Sequence, residues 1–170
     1  MPAKPAKFAE LLRTLDAHGV EYVLVGGVAA NLHGAPLATY DVDIVHRRAP
    51  TNVARLLEAL RSINAHYWEH APRMLVPDAR VLLLPGHYSL QTDLGRIDIL
   101  GQIGSGRSYD DLLGESVRIE IADGWSIRVL GLQAIIETKR ETGRPKDLLA
   151  LPVLEETLAE SGSAPHPRDK

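Results

Sequence analysis

Asp41-Val42-Asp43 and Asp98 are the residues of this chain whose type and spacing point most directly to chemistry. In an extended segment, residues two apart project to the same side, roughly 6.6 Å apart along the backbone. Asp41 and Asp43 would then stand together, with Val42 and Ile44 turned the other way into apolar packing. Two like charges beside a hydrophobic core are unfavourable unless something positive compensates them. Divalent cations do so directly, and pairs of Mg²⁺ ions about 3.5–4 Å apart serve phosphoryl-transfer sites. Taken alone, such a pair is more often the solvated acidic face of a surface strand. Asp98 shifts that balance, because it alternates with Ile97 and Ile99 just as Asp41 and Asp43 alternate with Val42 and Ile44. If the two segments are neighbouring strands, three carboxylates converge on one face. That donor set suits two hard cations bound through oxygen, Mg²⁺ or Mn²⁺.

Gly26-Gly27 is the second chemical signal, sitting after an apolar strand and before a short run of small residues. Glycines there let a backbone approach a phosphate closely, and a helix start presents free N–H groups to an anion. A structural turn is the alternative. A dinucleotide-binding turn needs G-x-G-x-x-G spacing, which GGVAANLHG lacks, and no Gly-Lys-Ser/Thr follows to make a Walker loop. A Rossmann-type dehydrogenase is set aside on the same ground. His66 and His70 are spaced i, i+4 without a third ligand, so they predict no zinc site. Trp68 and Trp125 read as packing residues.

The elements that must position these groups follow from periodicity. Phe8, Leu11, Leu12 and Leu15 predict a helix over Pro5–His18, closed by Gly19. Glu21–Val25 reads as a strand, and Val28–Gly34 as a helix beginning at the glycine pair. Thr39–Val45 reads as the strand carrying Asp41 and Asp43, and Thr51–Ile63 as a helix. The apolar run Val81–Leu84 falls in a strand-rich middle. Tyr88–Thr92 and Arg96–Leu100 predict a hairpin around Asp93-Leu94-Gly95, and Ser116–Ile121 and Trp125–Val129 a second around Asp123-Gly124. Two closing helices, Leu132–Thr142 and Pro145–Glu160, are separated by Gly143. Ser161–Lys170 has the composition of a disordered tail. The fold class expected is α+β, one domain over residues 1–160 with a mixed β-sheet flanked by helices.

Composition bounds the rest. A chain of 170 residues suits one domain, and 45% apolar content can build a core unaided. With no cysteine, disulfide frameworks and thiolate metal sites are excluded. A net charge of −3 does not announce a general nucleic-acid binder. No apolar run approaches the roughly 20 residues of a membrane span, and the basic start lacks a signal core, so a cytoplasmic protein is expected.

Taken jointly, Gly26, Gly27, Asp41, Asp43 and Asp98 resemble the signature of the DNA polymerase β-like nucleotidyltransferase superfamily. The segment GGVAANLHGAPLATYDVDIV looks like the stand-alone bacterial branch that includes AbiEii-type toxins. LGLQAIIETKRETGRPKDLLAL is similar to that branch's closing helix pair. The resemblance covers about residues 20–150. It implies a nucleoside triphosphate held over Gly26, Gly27 and Thr39, with two Mg²⁺ ions on Asp41, Asp43 and Asp98. Asp98 would face the attacking hydroxyl of an RNA, protein or small-molecule acceptor, and a cognate antitoxin would be a plausible partner. Lys139 is the first candidate for the triphosphate, with Arg144 and Lys146 beside it, since two cations only partly neutralise that charge. The alternative for all three is complementing helix ends, and Asp147 reads as a local helix-start pair. In one respect the chain departs from the branch: His33, Gly34, Thr39, Asp41 and Asp43 fit its pattern, but Leu37 stands where a basic residue is expected. That departure keeps open a non-catalytic nucleotide- or partner-binding module on the same fold.

Overall fold

The structure, a computed structural model, describes residues 7–70 and 73–163. The start of the expected first helix and residues 164–170 of the expected tail lie outside the described residues. In chain order the elements are α1 (Phe8–Ala17), β1 (Tyr22–Val25), α2 (Gly26–Leu32), β2 (Asp41–His46), α3 (Pro50–Ser62) and β3 (His66–Tyr67). A 3₁₀ turn (Trp68–His70), α4 (Ala79–Leu82), β4 (His87–Thr92), β5 (Gly95–Leu100) and α5 (Tyr109–Leu113) follow. The chain closes with β6 (Ser116–Ala122), β7 (Trp125–Leu130), α6 (Leu132–Thr142) and α7 (Pro145–Ser163).

The strands form one mixed seven-stranded sheet in the order β3-β4-β5-β2-β1-β7-β6. Hairpin turns make β4–β5 and β6–β7 antiparallel, while β2–β5 and β1–β7 run parallel. The expected α+β domain with a mixed sheet is what the chain adopts. Alternation does the sorting. Val42, Ile44, Leu90, Ile97 and Ile99 are fully buried, and share one core with Leu11 and Leu15 of α1 and Leu56 and Leu60 of α3. Each such side chain contributes about 1.5–3 kcal/mol through burial. The opposite parity of β2, β5 and β4 is left for polar residues.

Two buried polar residues lock the frame. Asn52, at the start of α3, accepts from the Glu21 amide at 2.7 Å and donates to the carbonyls of Glu21 and Arg47. His46, at the end of β2, sets its ring nitrogens 2.7 Å from the Leu82 carbonyl oxygen and 3.1 Å from that of Leu100.

The run Val81–Leu84 is not a strand. Its first two residues end α4, where Asp78 accepts a hydrogen bond from the Val81 amide and Leu82 drops into the core. A four-residue apolar run carries no period long enough to separate the two, and the cap decides it. The last helix reaches Ser163, so three residues read as tail continue α7. Among the described residues no helix is long and apolar enough to cross a membrane.

Candidate active site: a carboxylate triad in an open cleft

The parallel pairing of β2 with β5 sets Asp43 directly opposite Asp98, and Asp41 opposite Arg96. On the other side of β5, Asp98 faces Ser89 and Arg96 faces Gln91 of β4. Polar side chains of three strands therefore share one face. Asp41, Asp43 and Asp98 each bring a carboxylate oxygen within 4.8 Å of the others. No other cluster of three such ligands occurs among the described residues.

Burial and mutual repulsion disturb the ionisation of all three. Desolvation first, then Asp41 and Asp98, push Asp43 up to about 8. Asp41 is raised by burial and by Asp98, with Arg96 and Lys146 pulling the other way. Burial also acts against ionised Asp98, but hydrogen bonds from His87 and Ser89 and the charges of His87 and Arg96 outweigh it. Its carboxyl is held below the usual range. His87 lies 3.1 Å from Asp98 through Nε2, and that bond raises the imidazole above its ordinary value. One oxygen of Asp98, Oδ1, is buried with no hydrogen-bond partner. An orphaned anionic oxygen beside two more carboxylates is costly unless a cation, or the proton that Asp43 retains, meets it. The all-oxygen donor set fits Mg²⁺ or Mn²⁺.

Gly26 and Gly27 open α2 against this cluster. A Cβ on Gly26 would fall 2.3 Å from an Asp43 carboxylate oxygen, and the residue has a left-handed φ of +71°. A Cβ on Gly27 would fall 2.8 Å from the Thr39 hydroxyl oxygen. The amides of the first turn of α2 have no partner within the helix, and no side chain caps them. The Thr39 hydroxyl donates to the Asp41 carbonyl at 3.2 Å. His33, just past α2, lies 2.8 Å from the Leu130 carbonyl oxygen and ties the helix to β7.

The candidate metal and nucleotide residues line one cleft of about 900 Å³, Gly26, Gly27, Thr39, the triad, Lys139, Arg144 and Lys146, and Asp147 joins them. Leu37 lines it too, as an apolar patch. The α6–α7 corner differs from the reading of Asp147 as a local pair. Asp147 is buried and bridges the two helices, taking Lys139 Nζ at 3.2 Å on one oxygen and Arg144 Nε at 2.7 Å on the other. Lys139 is thus already engaged, whereas Lys146 makes no salt bridge among the described residues and lies close enough to act on Asp41.

Three site features were not found in the sequence. Arg96 shares the parity of Asp98, so its spacing could have revealed it. His87 falls one residue before the strand as read. Trp68, expected only to pack, lies under the Arg96 guanidinium at 4.6 Å and stays 45% exposed.

No protein-family profile and no curated protein sequence matches the chain. Solved structures do. The lincosamide antibiotic adenylyltransferase LnuA, bound to lincomycin, superposes with a TM-score of 0.60 at 13% identity, over 88% of this chain and 95% of that one. The antibiotic-resistance factor ANT(2'')-Ia superposes in its solution structure at 0.59 and 12% identity, over 90% of this chain and 83% of that one. In its crystal complex with adenylyl-2''-tobramycin it reaches 0.57 at 13% identity, over 91% and 89%. The fold is that of the nucleotidyltransferases. At this level of identity the likeness establishes architecture alone.

Proposed function

We propose that the protein is a metal-dependent nucleotidyltransferase, moving a nucleoside monophosphate from a nucleoside triphosphate to a hydroxyl and releasing pyrophosphate. The observation that carries this reading is the convergence of Asp41, Asp43 and Asp98 beside the glycine turn, with Asp98 Oδ1 buried and unpartnered. Asp41, Asp43 and Asp98 would hold two Mg²⁺ ions. When bound, those ions would neutralise phosphate charge and raise the acidity of the attacking hydroxyl. Gly26 and Gly27 let Asp43 and Thr39 pack close against the start of α2, whose first amides would meet phosphate. Lys146, unpaired among the described residues of the same cleft, would add positive charge, with Lys139 behind it on Asp147. Asp98, kept ionised by His87 and Ser89, is placed to accept the hydroxyl proton. The hydroxyl oxygen bonds to the α-phosphorus as the bond to the bridging oxygen breaks.

A small-molecule acceptor is favoured by the two proteins that share the fold, since the adenylyltransferase LnuA is bound to lincomycin and ANT(2'')-Ia to adenylyl-2''-tobramycin. RNA or protein acceptors, and a role as a toxin beside an antitoxin, rest on the sequence resemblance alone. Incubation with each α-labelled nucleoside triphosphate and pools of RNA, protein and small alcohols tests the reaction. Label should enter one pool in Mg²⁺ and none in chelator. A second reading, a nucleotide-binding module without transfer, draws on apolar Leu37 in the cleft and on the engagement of Lys139 by Asp147. Tight nucleotide binding with no transfer to any pool would decide for it.

A further inference from the structure

Arg96 differs from the other arginines that lie near the cleft. Arg107 is paired with Glu115 and Glu141, and Arg144 with Asp147. Among the described residues the Arg96 guanidinium makes no hydrogen bond and no salt bridge, and its Nε is buried without a partner. Stacking on the half-exposed Trp68 ring holds it instead, 4.6 Å from the centroid. A guanidinium fixed by an aromatic face keeps its in-plane donors open, and those donors match the two oxygens of a carboxylate or phosphate.

Position gives this group a role. The glycine turn follows β1, which flanks β2 on one side, while Arg96 lies on β5, which flanks it on the other. Arg96 and the glycines therefore stand on opposite sides of the strand that carries Asp41 and Asp43. In-line displacement brings the attacking group from the side opposite the leaving pyrophosphate. From Asp41 a row of paired residues runs outward through Arg96 and Gln91 to His66. We propose that Arg96, held over the Trp68 ring, is the specificity-determining residue of an acceptor subsite that takes an alcohol bearing a phosphate or carboxylate group. The word acceptor rests on the transferase reading above; the anion subsite does not.

The competing role is charge compensation, since Arg96 favours ionisation of Asp41 and Asp98. Compensation needs neither a stacked guanidinium nor open donors. With metal ions on the triad, a fixed positive charge beside them is repulsive until an anion arrives.

The test titrates four small probes, glycerol 3-phosphate, glycerate, glycerol and ethanolamine, into the full chain. Trp68 fluorescence is read in a Trp125→Phe background, and the same series is run on Arg96→Gln and Arg96→Lys. Wild type should prefer the anionic probes by roughly tenfold over the neutral and cationic ones, about the strength of one charge-assisted pair. Arg96→Gln should erase that preference and Arg96→Lys should keep part of it. Affinity for a non-hydrolysable nucleoside triphosphate with Mg²⁺, measured by calorimetry, should stay within about twofold in both variants. Comparing glycerol 3-phosphate with glycerate separates a phosphate from a carboxylate source. No anion preference in wild type, or the same preference in Arg96→Gln, would overturn the subsite. An intact preference in a chain that binds no nucleotide would instead overturn the transferase reading and leave an anion subsite of another kind.

Discussion

Asp98 and Asp147 are both buried aspartates lining the same cleft, and their surroundings are opposite. Asp147 has a cation on each oxygen, Lys139 on one and Arg144 on the other, and it pins α7 to α6. Asp98 is met by His87 and Ser89, yet one oxygen, Oδ1, has no partner, with two further carboxylates within reach. One corner is electrostatically complete and the other is not. Burial and residue type are the same, so neither separates a structural acid from a reactive one. The count of unmet oxygens does.

The largest effect should come from the incomplete corner. On the proposed reading Asp98→Ala removes the oxygen that would face the attacking hydroxyl, and transfer should fall by roughly a thousandfold or more, because phosphoryl transfer depends on positioning and charge neutralisation. Nucleotide affinity should drop only a few-fold. Single-turnover rates and binding titrations on one preparation check both; transfer at the wild-type rate would reduce Asp98 to the polar face of its strand. Next in size is the complete corner. Asp147→Ala should cost about 2 kcal/mol, less than a fully buried pair since Arg144 is half exposed. For a chain of this length that is roughly 4–8 °C in Tm, measured in chelator.

Asp43→Asn should have the opposite sign. The folded state raises the Asp43 carboxyl to about 8 from an ordinary 3.8, so it favours the protonated form. A raised pKa contributes stability fully below the unfolded value and loses it as pH climbs through the folded value. The metal-free variant should therefore match wild type near pH 4, pull ahead by a few degrees in Tm as pH rises, and gain nothing more above about pH 8. A fall in Tm at pH 8 would make Asp43 a structural acid like Asp147, and the comparison would fail.

Strand parity made the incomplete corner legible, since alternation of Asp with Val or Ile fixes which side each acid takes. Turn residues placed both hairpins, and Gly143 separated the two closing helices. Strand order was beyond these signals. Sheet pairing sets β7 beside β1, far apart in sequence, and no local pattern encodes that neighbour. The Asp147 bridge was missed for the same reason: Lys139 lies on the preceding helix, and only the turn at Gly143, with φ +63°, folds it back. Arg96 was hidden differently. Its parity was readable, but its lack of a partner is a property of the packed molecule.

The smallest effect separates two lysines that the sequence ranked with Lys139 first. Lys139 is bonded to Asp147 with its side chain 19% exposed, while Lys146 is exposed and unpaired among the described residues. A lysine already holding a buried carboxylate cannot turn to a triphosphate without uncovering that charge. Lys139→Ala should therefore lower Tm, in part through Asp147. An exposed ammonium that meets phosphate only when nucleotide arrives contributes to binding and not to folding. Lys146→Ala should leave Tm within about 1 °C, as surface substitutions do, and weaken triphosphate affinity about three- to fivefold. The weakening should shrink at high salt, because the interaction is solvent-exposed. If Lys139→Ala weakens nucleotide without touching Tm, the corner opens on binding and Asp147 is a latch rather than a strut.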